Sequence, residues 1–249
     1  MGYFDLSGRV AIVTGGGAGI GEAISARLAK AGAKVFIADI DPKVAETAAQ
    51  SIPNATALPV DVTNSASVNE AFGKVEALAG SIDILVNNAG IETIVPFLEL
   101  TDDQWTRLVD VNLRGEWLCS QVFCRRVLDA GRKGVIVNIG SIQAGKILPG
   151  RTHYAPTKLG LEALTRNISA EMSPLGIRAN CVHPGLIDTD MTAWVMQRPD
   201  LLPGILAQIS LGRPGEAREI GTVVAFFASD EASYLTGQSI HVDGGWVAK

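Results

Sequence analysis

Val10-Ala11-Ile12-Val13-Thr14-Gly15-Gly16-Gly17-Ala18-Gly19-Ile20-Gly21 is the stretch whose reading decides the fold. An apolar run makes a short buried strand, the glycines make a tight turn, and the spacing predicts a helix over residues 20–31. In that setting the glycines let the backbone approach a pyrophosphate. The helix N-terminus offers it N–H groups and a positive dipole. A glycine cluster alone would be only a flexible loop. Placed between strand and helix, it reads as the first unit of a dinucleotide-binding sheet.

The alternation continues along the chain. Further strands are expected at Lys34–Ala38, Ala55–Val60, Ile82–Val86, Val135–Ile139, Ile177–Val182 and Gln238–Val242. Between them lie a helix from Pro42, one over Ser65–Ala79, a long amphipathic region over Thr101–Asp129, one running to Met172 and one over residues 217–229. Continuous apolar strands separated by helices predict a parallel sheet covered on both faces. The expected fold class is α/β: one Rossmann-type doubly wound domain over residues 1–249, with seven or so mostly parallel strands. Only residues 186–215, with Met191, Trp194, Met196 and several prolines, break the rhythm. They read as an insertion beside the site, a substrate lid.

Composition narrows the function. A 47% hydrophobic, 19% charged chain of net charge −5 has no basic cluster that would grip nucleic acid. No apolar run reaches the roughly 18 residues of a membrane span. Cys119, Cys124 and Cys181 lack metal-ligand spacing, so reduced thiols in the cytoplasm are expected, and no metal. The first residues show no signal peptide, and Leu6 stands where a myristoylation signal needs Ser or Thr.

Two further features concern chemistry. Asp39 ends the second strand, where a carboxylate can accept hydrogen bonds from a ribose 2′-hydroxyl. It would repel a 2′-phosphate, and neither Ala18 nor Ile40 supplies a cation, so NAD is expected over NADP. A helix-capping Asp is compatible with the same position. Tyr154 and Lys158, at i and i+4, share a helix face. A cation held beside a phenol could lower its pKa of about 10 by up to about three units before burial pushes it back. Pro156 lies between them and is tolerated only in a first turn, which puts the helix start near Thr152.

The order Thr14-Gly15-x-x-x-Gly19-x-Gly21, Asn87-Asn88-Ala89-Gly90, Tyr154-x-x-x-Lys158, Pro184-Gly185 and Val242-Asp243-Gly244-Gly245 resembles the classical short-chain dehydrogenase/reductases from about residue 6 to the end. That resemblance implies Tyr154 as general acid/base and Lys158 as the group that lowers its pKa and binds the nicotinamide ribose. It implies Ser141 as the hydrogen-bond partner of the reacting oxygen, and Asn112 as the holder of a relay water. Without it, Asn112 would read as a helix-interior Asn bonded to backbone, and Ser141 as a loop serine. For the cofactor it implies Gly15, Gly19, Ile20, Gly21 and Asp39, with Asp61 and Val62 at the adenine and Tyr154 and Lys158 also in contact with it. Asn88, Ala89 and Gly90 would follow along the ribose, then Pro184, Gly185, Ile187 and Thr189 towards the carboxamide. His183, before Pro184-Gly185, could face the nicotinamide pocket, though such a histidine is more often packed and satisfied.

Substrate contacts are expected from the loops at the strand C-termini: Glu92, Gln143, Leu148, His153, Leu186 and Trp194. Their mixture suits a sugar, polyol or other small hydroxy compound, interconverted between secondary alcohol and ketone. The alternative within the family is a 3-oxoacyl-[acyl-carrier-protein] reductase, against which Asp39 and the acidic charge weigh. A nucleotide-sensing or scaffold protein without catalysis is the alternative of another class. The resemblance also implies a homotetramer built on the helices of residues 101–129 and 152–172.

Overall fold

Alternate residues of the first strand serve opposite cores, and this organises the whole molecule. In the computed structural model, which describes residues 4–249, β1 (Val10–Thr14) turns Ala11 and Val13 to one face and Val10 and Ile12 to the other. The extreme N-terminus, read above for targeting signals, falls largely outside the described residues. β2 (Lys34–Asp39) repeats the division, with Val35 and Ile37 opposite Phe36 and Ala38. A strand buried on both sides has to be apolar throughout, as these are.

The first face is covered by α1 (Gly19–Lys30), by α2 (Pro42–Ser51) and by α9 (Ala217–Ala228), through Ile24, Leu28, Ala45, Ile220 and Val224. The second is covered by α3 (Ser65–Ala79) and α5 (Glu116–Asp129), through Val68, Phe72, Val75, Leu118, Val122 and Phe123. The remaining strands are β3 (Ala55–Pro59), β4 (Ile84–Asn87), β5 (Gly134–Ile139), β6 (Ile177–Pro184) and β9 (Ser239–Val242). Together the seven form one sheet in the order β3-β2-β1-β4-β5-β6-β9, every pair parallel. The direction of winding reverses between β1 and β4. The crevice at the strand C-termini opens there, where such sheets take ligands.

Two expectations are refined. The region 101–129 is not a regular helix: α4 (Asp102–Val109) and α5 are joined by a π-helical turn, Asp110–Gly115, that holds Asn112. Such a turn shifts the phase of the apolar face but keeps helical spacing on either side of it, so reading the spacing alone passes over it. The helix α6 (Tyr154–Met172) starts at Tyr154 rather than Thr152, and Pro156 sits in its first turn. Residues 186–215 contain β7 (Ile187–Asp188), α7 (Ala193–Met196) and α8 (Leu202–Leu206), and β7 pairs with β8 (Gly215–Glu216). This segment packs on an apolar cluster of its own, formed by Ile142, Leu186, Val195, Ile209 and Trp246.

Candidate active site

A cleft of about 1020 Å³ runs across the C-terminal ends of the strands, from Asp39 and Asp61 at one end to Trp194 and Trp246 at the other. The glycine turn forms its floor. Gly15 and Gly19 adopt left-handed backbone conformations, φ 58° and 55°. A Cβ on Gly21 would lie 1.9 Å from the Gly15 carbonyl oxygen, so no side chain fits there. Ala18 gives α1 no side-chain cap, which leaves the first-turn N–H groups to the cleft. Those donors and the close backbone suit a pyrophosphate. A nicotinamide cofactor held there would supply the hydride exchange and leave to this chain's residues its positioning and the handling of the proton.

Asp39 lines the cleft beside this turn. The Gly17 N–H donates to Oδ2 at 3.3 Å and the Asp41 N–H to Oδ1 at 3.2 Å. The helix cap of α2 is Asp41, which accepts from the Lys43 N–H at 2.9 Å. The capping role weighed above for Asp39 therefore belongs to its neighbour. Asp61 is partly committed: its Oδ1 accepts both the N–H and the O–H of Thr63. Val62 lies beside it in the cleft wall.

Asn88 is stapled to the glycine turn, its Nδ2 donating to the carbonyls of Thr14 and Gly15 at 3.0 and 2.9 Å. The N–H groups of Asn88 and Ala89 donate to the Thr14 hydroxyl. Gly90 lies where a Cβ would be 3.5 Å from Asn112 Oδ1 and 3.7 Å from Lys158 Nζ. Ile20, Pro184, Gly185, Ile187 and Thr189 also line the cleft, and Thr189 faces Gly19 across it.

Ser141, Tyr154 and Lys158 converge on one wall of the cleft. Lys158 Nζ donates to the Ile139 carbonyl at 2.9 Å and lies 5.9 Å from the Tyr154 ring centre. Burial raises the Tyr154 phenol more than Lys158 lowers it, with Glu92 adding to the rise and the Ser141 hydroxyl opposing it. The lysine lowers the phenol as the Tyr-Lys spacing predicts, and burial pushes it back further than the lysine pulls it down. Both groups are almost wholly enclosed, so desolvation outweighs the single cation.

The Asn112 side chain is committed to backbone, as a helix-interior Asn would be. Its Oδ1 accepts from the Ile91 N–H at 2.9 Å and its Nδ2 donates to the Ile91 carbonyl at 2.8 Å. Of the substrate candidates, Gln143 and Trp194 line the cleft. His153 does not. It is fully buried, with Nε2 2.6 Å from the Thr93 hydroxyl, and supports the loop after β4 instead of reaching substrate.

His183 is packed as expected. Its Nδ1 accepts from the Ser141 N–H at 3.0 Å and its ring stacks on His241, so it braces the Ser141 loop from behind. A Cβ on Gly140 would approach that Nδ1 to 2.2 Å, so this loop needs glycine there.

Three groups escaped the sequence reading. Arg151 pairs with Glu92 at the mouth, and Gln143 Nε2 donates to the same carboxylate at 3.3 Å. Trp246 closes the far wall from the C-terminal loop. Glu116 is buried with its Oε1 3.5 Å from Lys158 Nζ. Arg151 stands three residues before Tyr154, the one local signal that could have flagged it.

The order of motifs, the strand order and this cleft agree with what similarity shows. Residues 15–247 match the family described as enoyl-(acyl carrier protein) reductase. The 3-oxoacyl-[acyl-carrier-protein] reductase FabG of Escherichia coli (strain K12) is 39% identical over 246 residues, covering 97% of this chain and 98% of that protein. Among solved structures, gox2181 superposes with a TM-score of 0.95 at 39% identity, over 99% of this chain and 98% of that one. The gluconate 5-dehydrogenase of Burkholderia cenocepacia J2315, in complex with NADP and tartrate, does so at 0.94 and 34% identity, again over 99% and 98%. With glycine turn, Asn-Asn-Ala-Gly, serine, tyrosine and lysine gathered on one such sheet, the chain belongs to the short-chain dehydrogenase/reductase family of oxidoreductases.

Proposed function

We propose that this chain interconverts a secondary alcohol and a ketone with NAD(H), with Tyr154 exchanging the proton of the reacting oxygen. The convergence of Ser141, Tyr154 and Lys158 on the wall of the glycine-floored cleft supports this most directly. Tyr154 as phenol donates to a forming alkoxide, and as phenolate it takes the proton of an alcohol. Ser141 offers a hydroxyl to the same oxygen. Lys158 keeps positive charge beside both and holds the cofactor ribose. Asn112 holds the loop of Ile91 against the π-helical turn and closes the inner end of the relay. The complete set weighs against a scaffold that has lost its chemistry.

The curated relatives, 3-oxoacyl-[acyl-carrier-protein] reductases at 36–39% identity, support a 3-oxoacyl thioester as substrate. We rank that reading ahead of the sugar or polyol with which the sequence analysis began. The second reading keeps one specific support: the polar Glu92, Gln143 and Arg151 at the mouth suit a hydroxylated or carboxylated small molecule. Side-by-side turnover of a short 3-oxoacyl thioester and a panel of polyols and sugar acids decides between them. Turnover of a sugar acid with none of the thioester would reverse the ranking. Residues 186–215, whose Leu186, Trp194 and Val195 line the cleft, would close over either substrate as a lid.

For the cofactor, Asp39 supports NAD. Its carboxylate faces the cleft, and no cation among the described residues forms an ion pair with it. We expect kcat/KM with NADH to exceed that with NADPH by about tenfold or more, about 1.4 kcal/mol. Asp39→Ser should narrow the gap. A wild-type preference for NADPH would overturn the assignment.

A homotetramer is supported by apolar side chains left at the surface of the two long helical stretches: Trp105, Trp117 and Leu159. Sedimentation should show four chains at micromolar concentration, and a stable monomer would defeat the reading. The three buried free cysteines suit a reducing, cytoplasmic setting. Among the described residues no helix is long and apolar enough to cross a membrane.

A further inference from the structure

Glu116 is an acid that the reaction as described does not need. It is the first residue of α5, directly after the π-helical turn, and is 2% exposed. Neither carboxyl oxygen has a hydrogen-bond partner. The donors of the polar side chains around it are all committed elsewhere, and Asn87 Oδ1 is left without a partner. Asn87 Nδ2 donates to Ser120 Oγ and to Asn138 Oδ1, each at 2.8 Å, and Asn138 Nδ2 donates to Thr165 Oγ1 at 2.8 Å. Ser120 in turn donates to the Glu116 backbone carbonyl, not to its carboxyl. That leaves the carboxyl facing one cation, Lys158 Nζ, at 3.5 Å.

We propose that Glu116 is a positioning residue of the proton-handling group: its buried carboxyl sets the net charge that Lys158 presents to Tyr154. The logic is electrostatic. With Glu116 protonated, Lys158 stands as an unopposed cation behind the phenol and favours phenolate. With Glu116 ionised, the Lys158–Glu116 pair is neutral overall and the phenol holds its proton more tightly. The reactive tyrosine is therefore tuned by a group that touches neither substrate nor cofactor.

The surroundings fix which state prevails. The titratable groups facing Glu116 are Lys158 and Tyr154 from α6, Cys181 from β6 and, on its own helix, Cys119. Burial pushes the carboxyl up to about 8, against the pull of Lys158. The Cys119 and Cys181 thiols are raised by burial first and by Glu116 next, so neither supplies an ion near neutral pH. While the carboxyl keeps its proton the pair carries a positive charge toward Tyr154, and once it ionises the pair does not. Alcohol oxidation, which uses phenolate, and ketone reduction, which uses phenol, are biased in opposite senses by this one proton.

The test reads Tyr154 itself, so it stands whichever substrate is correct. The chain has only 3 tyrosines. With ¹³Cζ-labelled tyrosine, Tyr154 can be assigned by comparison with Tyr154→Phe and titrated. Glu116→Gln should move the Tyr154 midpoint down by about one unit or more, about tenfold in phenolate at fixed pH. Glu116→Asp should restore the wild-type direction. The alkaline limb of the kcat profile should shift with the Tyr154 midpoint. A folded Glu116→Gln protein with an unmoved Tyr154 midpoint would overturn the proposal. Should that variant fail to fold, ¹³Cδ-glutamate spectra of the wild type decide instead. One carboxyl titrating well above the others supports the proposal, and its absence sinks it.

Discussion

Tyr154→Phe should bind NAD(H) with near wild-type affinity and lose about 10²–10⁴-fold in kcat, the range that a positioned acid/base supplies. The substitution removes one oxygen from a side chain that is 9% exposed and leaves its ring packing intact. The cofactor contacts proposed for the glycine turn, Asp39 and Asn88 lie elsewhere in the cleft and are untouched. The loss should therefore fall on kcat, with KM for the cofactor little changed. Binding can be followed by quenching of the cleft tryptophans, and turnover by nicotinamide absorbance. Retained turnover would remove Tyr154 from the mechanism. Burial keeps Tyr154 protonated, so in this state it is a ready donor, and charge from the bound cofactor and Lys158 must help it to act as base.

Much of this site was legible because its parts are local. Gly15, Gly19 and Gly21 announce themselves through a strand–turn–helix pattern. Asp39 follows from the end of the next strand, and Tyr154 and Lys158 from i, i+4 spacing on one helix. Pro156 sharpened the last of these, since a proline this close to both residues had to lie in the first turn. What was not legible depends on long-range packing. His153 looks like a pocket residue in sequence but turns to Thr93, sixty residues away in the chain. Glu116 belongs to none of the sequence motifs and stands in an amphipathic stretch whose spacing does not reveal the π-helical turn before it. That turn places Asn112 and Glu116 inward together, both buried. The balance at Tyr154 was equally out of reach. A pair of residues gives the sign of the lysine's effect, but the size of the opposing desolvation exists only once the fold encloses them.

His183→Asn should make the fold more stable at pH 4, relative to pH 7, than the wild type is. In the native chain the His183 imidazole is neutral: Nδ1 accepts from the Ser141 N–H, and Nε2 lies 3.5 Å from Glu162 Oε2. Burial first, and then His241, depress its pKa from 6.5 to about 4. Between those values the unfolded chain binds a proton that the folded chain refuses, so stability falls as pH drops from 6.5 to 4. The loss is about 3 kcal/mol at 1.36 kcal/mol per unit. Glu116 runs the other way. Its folded value of about 8, against 4.5 in its absence, means that stability falls as pH rises through that window. The two overlap between 4.5 and 6.5, where they offset each other and the wild-type curve alone would look flat. The variant separates them. An Asn Oδ1 can take the place of Nδ1 as acceptor for Ser141 but does not titrate, and any packing cost it brings is independent of pH. Urea unfolding at pH 7 and pH 4 should show wild type losing about 3 kcal/mol more than His183→Asn across that interval. Parallel losses in the two proteins would mean that folded His183 takes up its proton as readily as the unfolded chain does, and that its Nδ1 gives up the Ser141 N–H in acid at no cost to the fold.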